Sequence, residues 1–422
     1  MTIALYVNCL SNGGAERVAA RLTELWHSLG HEVVIFTMNP PGTTEYAHCC
    51  FARDCVPYNQ ITDKRATELR QKYRFDLLVF NDSINDIDFV QAYNGFRSVN
   101  DLKIAVLIHH TSNNWLYTLG NTQELGMEAL MSKADAVVCV DKMWALWWHH
   151  RGARSFFIQN PVAIASRQSL DDGNIIDHKQ IIWVGRLKDW AKQPEKAITA
   201  FVEINRRLPD TRLVMLGATT PDAEKALMRN VPCELREKIE LKGFVPNAAD
   251  YMRSAALHIF TSLTEVTVPQ VVLEAQALGL PTIALDMPVV KGTLGVSIVR
   301  DVHEMAERAV ELLTDERKRL ELVTEAKKAQ GSSDNEIDAK WRMVFDAISA
   351  KGEDSCRRLD ALQTNMMREW RTEEEYGKLL DEIHRSNSFF VNRYLPDVHF
   401  VHRWRNRLNM STLWIRIKAR IP

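Results

Sequence analysis

Short apolar runs alternate along this chain with longer segments whose apolar positions recur every three to four residues. In the first part the short runs are "IALYVN" (Ile3–Asn8), "EVVIFT" (Glu32–Thr37), "DLLVFN" (Asp76–Asn81), "KIAVLIH" (Lys103–His109) and "DAVVCV" (Asp135–Val140). They carry too few polar positions to leave one face in water, so each predicts a strand buried on both faces. Between the first two, "AERVAARLTELWHSLG" fits a helical period and stops at Gly30. Strands spaced by helices predict βαβ units and a parallel sheet.

The rhythm breaks at Asn160–Pro161, and a polar stretch follows to Lys179. It predicts a linker over 166–179. The alternation then restarts with "QIIWVG" (Gln180–Gly185), "TRLVMLG" (Thr211–Gly217), "KIELKGF" (Lys238–Phe244), "ALHIFTS" (Ala256–Ser262) and "PTIALD" (Pro281–Asp286). The division is an N-terminal Rossmann-like domain over 1–165, a second over 180–348, and a helical extension over 349–422. Two such halves face across a cleft lined by the carboxyl ends of their strands, where ligands bind.

At 422 residues the chain exceeds one ordinary core. Lys and Arg number 53 against 54 Asp and Glu, so no global field recruits nucleic acid. The seven cysteines are scattered without a C-x-x-C pair, which predicts reduced thiols and no zinc site. The opening "MTIALYVNCLSNGG" lacks a signal peptide's basic flank and long apolar core, and no run of 18 apolar residues occurs. Both observations predict a cytoplasmic protein.

Four stretches can carry chemistry. After the first strand, Gly13 and Gly14 lead into a helix, a turn that lets backbone approach an anion. The same residues also make an ordinary strand-to-helix turn, and the dinucleotide fingerprint G-x-G-x-x-G is absent. In "VGRLKDWAK", Arg186 and Lys192 stand ahead of a helix start, where two cations and the helix dipole can hold a diphosphate, although a surface arginine and lysine that meet there by chance would give the same pattern. In "TSLTEVTVPQVVLEAQALGLP" a helix is predicted from Thr267 or Val268, with Pro269 in its first turn and Gly279 and Pro281 as its stop. Its neighbours leave Glu274 almost no polar stripe, so the carboxylate is expected at the cleft. Finally, His109 and His110 follow a buried strand, positioned either to reach a substrate or to serve as structural histidines.

The order of these elements resembles the retaining GT-B glycosyltransferases of the large family four, also called glycosyltransferase group 1. The matching motifs are "GGAERV" (Gly13–Val18), "VGRLKDWAK" (Val184–Lys192), "KGFVPN" (Lys242–Asn247) and "SLTEVTVPQVVLEAQALGLP" (Ser262–Pro281), and the likeness covers about residues 1–348. It implies a GT-B fold and transfer of a sugar from a nucleotide diphosphate, with UDP expected, to a hydroxyl with retention of configuration. By that similarity Arg186 and Lys192 hold the diphosphate, and Glu274 binds the ribose. Glu265 lies beside the sugar, flanked by Val268 and Pro269 of the same loop. Phe244 and Val245 read the base, Gly13 and Gly14 approach the phosphates, and His109 faces the transferred sugar. The acceptor implied is a glycan or a lipid-linked sugar in cell-surface glycan synthesis, and the enzyme a hexosyl- or N-acetylhexosaminyltransferase.

One departure stands out. The family spaces its two glutamates as E-x7-E, whereas eight residues separate Glu265 from Glu274 here, the extra one falling between Glu265 and Pro269. That leaves a non-catalytic scaffold subunit, or a nucleotide-sugar epimerase of the same fold, as alternatives. Neither a metal nor any other cofactor is expected, because cations and backbone N–H groups suffice for the leaving group. The triplet Asp86-Ile87-Asp88 is read as a chance match to the metal-binding D-x-D pattern. Over residues 393–420 arginines and lysines interleave with Trp404 and Trp414. This pattern suits an anionic membrane surface, or a segment folded back on the first domain.

Overall fold

A computed structural model describes residues 1–7, 10, 14–37, 52–57, 61–81, 87–109, 129–162, 177–245, 247–263, 265, 268–350 and 352–368. Elements are numbered over these residues. The first half runs β1 (Thr2–Val7), α1 (Gly14–Ser28), β2 (Glu32–Thr37), β3 (Ala52–Pro57), α2 (Asp63–Tyr73), β4 (Leu77–Asn81), α3 (Ile87–Arg97), β5 (Lys103–Ile108), β6 (Ala136–Cys139), α4 (Lys142–His150) and β7 (Ser155–Phe157). The second half runs β8 (Asp177–Val184), α5 (Pro194–Arg207), β9 (Arg212–Leu216), α6 (Pro221–Met228), β10 (Ile239–Gly243), α7 (Ala248–Ser254), β11 (Ala255–Phe260), α8 (Gln270–Ala277), β12 (Thr282–Leu285), β13 (Val296–Val299) and α9 (Val302–Thr314). Two long helices follow, α10 (Glu316–Ile348) and α11 (Glu353–Arg368).

The strands form two sheets, ordered β3-β2-β1-β4-β5-β6-β7 and β10-β9-β8-β11-β12-β13, with every pairing parallel. Each is a doubly wound Rossmann-like sheet, as the buried apolar runs imply. Chain direction across each sheet reverses at one point, β1 against β4 in the first and β8 against β11 in the second. Neighbouring connections there leave to opposite faces and open a crevice at the strands' carboxyl ends.

All ten strands expected from the sequence are present. The three additional ones, β3, β7 and β13, each lie at a sheet edge. An edge strand is paired on one side only, so it can be short or polar, and the pattern "ARDCVP" of β3 shows neither a buried run nor clean alternation. The strand expected from Gln180 starts earlier, at Asp177, inside the polar stretch assigned to the linker.

The C-terminal helices depart from the expected division. Leu322, early in α10, belongs to the second domain's core. Ile337, Trp341, Val344, Phe345 and Ile348, late in the same helix, pack into the first domain's core. Trp341 and Phe345 lie 5.1 and 5.6 Å, centroid to centroid, from Trp26 of α1. The helix thus runs unbroken through "QGSSDN" from one core to the other, and 337–348 belongs with the first domain. Nor is 349–366 an appendage, since Leu359 and Met366 of α11 enter the same core. Gln363 Nε2 donates to the carbonyls of Ala153 and Ser155, at 3.0 and 3.3 Å, beside β7.

One polar group in the second core has a consequence for stability. His258 of β11 is fully buried, and its Nδ1 lies 3.1 Å from the Thr282 hydroxyl on β12. Burial pushes its pKa down from 6.5 to about 3. The folded chain therefore keeps the ring neutral, whereas the unfolded chain takes up a proton below about pH 6.5. Stability from this group is complete above that pH and is lost as pH falls toward 3, at up to about 1.4 kcal/mol per pH unit. Urea unfolding across pH 7 to 4 is expected to show this slope in the wild type and a shallower one in His258→Leu.

Candidate functional site

The cleft edge of the second domain is built from strand ends that finish in glycine. Gly185 follows β8, Gly217 follows β9, and Gly243 closes β10. Gly217 adopts φ 143°, and a Cβ there would stand 1.8 Å from the Gly185 carbonyl oxygen. Its N–H donates to the Gly243 carbonyl at 2.7 Å, and Gly185 N–H donates to Leu216 at 2.9 Å. Only a residue without a side chain lets three strand ends close up this tightly.

From Gly185 the chain turns through Arg186–Gln193 into α5. The turn is tied down by backbone bonds from Leu187 to Ala218 and from Leu263 to Ala191, at 3.0 and 2.8 Å. Thr261, fully buried at the end of β11, completes the clamp. Its hydroxyl accepts from Trp183 Nε1 at 2.9 Å and reaches the carbonyls of Lys192 and Gln193, at 2.9 and 3.0 Å. Gln193 sits in the left-handed region at φ 48°, and Pro194 opens α5. Lys192 is thus set at a helix start beside the β8/β11 crossover.

The two expected cations are present but differently engaged. Lys192 Nζ contacts Glu265 Oε1, and both side chains are largely buried. The two form an ion pair with each other. Arg186 pairs instead with Asp189 at 2.7 Å and is mostly exposed. Sequence reasoning passed over Asp189. Its signal was its place three residues after Arg186 in a tight turn.

Glu274 is engaged differently from the expectation of an open carboxylate at the cleft. The helix begins at Gln270, not at Thr267 or Val268, because Pro269 caps it from extended backbone at ψ 143°. Its carboxyl end closes as a Schellman turn, with Leu280 N–H donating to Ala275 and Gly279, at φ 64°, to Gln276. Glu274 falls in the second turn and is completely buried, with Oε1 against Nη2 of Arg17. Arg17 belongs to α1, whose Val18, Ala19 and Leu22 are core residues of the first domain. The pair therefore spans the two domains, and the carboxylate meets a guanidinium where an open cleft was expected. Burial pushes the Glu274 carboxyl up and Arg17 pulls it back, with burial prevailing. Arg17 is a residue the sequence reading missed, although it stands inside "GGAERV".

Buried acceptor atoms cluster on these loop and helix starts. Oε2 of Glu274, Oε1 of Gln193 and Oε1 of Gln270 find no hydrogen-bond donor among the described residues, while Oε1 of Glu274 is held by Arg17. Such atoms are costly unless something supplies donors. Gln270 Nε2 reaches the Pro161 carbonyl at 3.4 Å, where the chain crosses from the first domain.

The remaining expected residues fall around this edge. Phe244 and Val245 follow β10 and are half-buried, with Val245 packed on the cluster of Ala248, Ala249 and Met252. Val268 packs on the cluster containing Phe260 and Val272, and Pro269 is buried at the start of α8. In the first domain Gly14 opens α1, while Gly13 lies outside the described residues. His109 stands at the end of β5 with Nε2 2.7 Å from Asn81 Oδ1. His110, Asp86 and the tail over 393–420 also lie outside the described residues. Among the described residues no group of three or more His, Cys, Asp or Glu is arranged to hold a metal, and no helix is long and apolar enough to cross a membrane.

Comparison with known proteins places each domain. Residues 12–165 match the model of "Glycosyltransferase Family 4", and residues 178–315 match that of "Glycosyl transferases group 1". An uncharacterized glycosyltransferase of Haemophilus influenzae is 24% identical over 296 residues, 66% of this chain and 79% of that protein. Among solved structures, Anabaena HepE with UDP and glucose superposes with a TM-score of 0.63 at 15% identity, over 82% of this chain and all of that one. The pneumococcal O-GlcNAc transferase GtfA with UDP and GlcNAc gives 0.65 at 12%, over 83% and 99%. Staphylococcus aureus TarM gives 0.62 at 10%, over 81% and 99%. At these identities the structures establish a shared GT-B fold.

The Arg17–Glu274 pair joins the two domains through a fully buried carboxylate. Arg17→Leu leaves the buried carboxylate without its cation and is expected to cost roughly 3 kcal/mol or more. Adding Glu274→Gln to that variant removes the stranded charge and should recover part of the loss in urea unfolding.

Proposed function

The chain is a member of the group 1 glycosyltransferases, with the GT-B fold, and from that premise we propose a retaining hexosyl- or N-acetylhexosaminyltransferase that uses a UDP-linked donor. The acceptor proposed is a hydroxyl of a glycan or lipid-linked sugar in cell-surface glycan synthesis. The observation that carries this reading is the clamped turn 186–193. It sets Lys192 at a helix start beside the β8/β11 crossover, where the cation and the helix dipole act together on an anion.

In this reading the bond from the sugar's anomeric carbon to the diphosphate breaks as the acceptor oxygen bonds to that carbon, on the same face, and the acceptor's hydroxyl proton passes to the departing diphosphate oxygen. Negative charge develops on the departing diphosphate. Lys192, Arg186 and the N–H groups opening α5 stabilise it, so the chemistry proposed needs no metal. Each cation is balanced by a carboxylate, Lys192 by Glu265 and Arg186 by Asp189. The donor's phosphates take the place of Glu265 at Lys192 and of Asp189 at Arg186, and Glu265, released, stands beside the sugar. Glu274 accepts from the ribose hydroxyls. To reach it the nucleotide must share or displace the guanidinium of Arg17. Gly13 and Gly14 let the β1–α1 turn approach the phosphates, and Phe244 and Val245 flank the base.

The test needs no acceptor. UDP released from UDP-glucose and from UDP-GlcNAc by slow hydrolysis is expected from the wild type, and Lys192→Ala should lower it on the order of 10²-fold. Equal release by the two proteins would remove Lys192 from the diphosphate site. Release of no UDP from any sugar nucleotide, despite binding, would favour a scaffold role, and an epimerised donor would mark an epimerase.

For the basic, aromatic stretch 393–420 we propose contact with an anionic membrane surface from the cytoplasmic side. The full chain is expected to sediment with phosphatidylserine-containing vesicles, and a chain ending at Glu382 to stay in the supernatant.

A further inference from the structure

Two apolar rows of the first sheet change character at their cleft end. Leu77 and Val79 of β4, and Ala105 and Leu107 of β5, point into the first domain's core. Side chains alternate along a strand, so Asn81 and His109 continue these two rows one step beyond the last apolar residue. Register sets Asn81 beside Leu107, hence next to His109 on the same face. Asn81 is only 1% exposed, and its Oδ1 accepts from Nε2 of His109 at 2.7 Å. A buried amide is costly compared with another apolar residue unless it is hydrogen-bonded. At the end of a core row this amide meets that requirement at least in part through the histidine.

We propose that Asn81 is a positioning residue for His109, holding the imidazole in one orientation and in the tautomer protonated on Nε2. Nδ1 is then the basic nitrogen of the ring. The choice of an amide matters as much as the bond. A carboxylate at this position would stabilise the imidazolium and raise its pKa, as in the histidine–aspartate pairs of hydrolases. An amide orients the ring equally well and lets it stay neutral. Glycosyl transfer passes through a sugar bearing positive charge, so a cationic ring against that sugar would oppose the reaction, and a neutral one would not. This inference rests on the reading of His109 as the residue that faces the transferred sugar.

The experiment uses the full chain labelled with ¹⁵N-histidine, with His109→Gln to assign the ring. In the wild type the His109 spectrum should show the Nε2-protonated tautomer. Asn81→Ala should give a mixture of tautomers, and Asn81→Asp should keep the tautomer while raising the ring's pKa by about one unit or more. Hydrolysis of UDP-glucose should lose roughly tenfold in kcat in Asn81→Ala with little change in KM, the scale felt when a functional histidine loses its outer partner. In Asn81→Asp the rate should hold at high pH and fall below the raised pKa.

An unchanged tautomer and titration of His109 in both variants would overturn the proposal. If Asn81→Ala does not fold, Asn81→Asp, almost identical in shape, decides through the titration shift alone. A locked tautomer together with wild-type turnover in His109→Gln would support the positioning and count against the reading of His109 on which it rests. Loss of turnover in His109→Gln with an unaltered ring in the Asn81 variants would do the reverse.

Discussion

A parallel sheet delivers the carboxyl ends of all its strands to one edge, and this constraint organises the whole molecule. In each half the crossover point opens a crevice at that edge. Asn81 and His109 lie there in one sheet, and Arg186, Thr261 and Glu265 in the other. Glycine allows the packing, since the Gly185, Gly217 and Gly243 backbones lie too close for any side chain at 217. The helix 316–348 then ties the halves together by placing apolar residues in both cores.

Charge along this edge is arranged in opposed couples: Lys192 with Glu265, Arg186 with Asp189, and Arg17 with Glu274. The couples differ in cost. Arg186 is largely exposed, where an ion pair is worth little and yields readily to a stronger anion. Glu274 is wholly buried, where desolvation opposes the charge and a guanidinium must stay close to sustain it. A phosphate-bearing ligand would thus exchange partners easily at the rim and with more difficulty at the domain boundary.

Much of this was legible along the chain. The nine interior strands are apolar enough to show as buried runs, and of the four edge strands only β10 shows in the sequence, because an edge strand need satisfy only one neighbour. The Schellman turn after α8 was readable from Gly279, since a helix end there requires φ above zero. The start of α8 was misplaced by two or three residues, because a proline is tolerated equally in the first turn and as the cap before it. Glu265 and Lys192 were both selected, but the sequence does not say that they neutralise each other.

The sequence by itself determined the two-sheet architecture and most of the residues at the cleft, because strand burial, helix period and glycine turns are local patterns with local causes. Tertiary structure alone decided who meets whom. Arg17 and Glu274 are separated by most of the chain, and nothing in either segment encodes the other. Asn81 reads as the end of an apolar strand until register sets it beside His109. The late turns of α10 read as a charged helix until Trp341 finds Trp26. Partners brought together by packing leave no periodic trace, since their interaction depends on distance in space and not on spacing along the backbone.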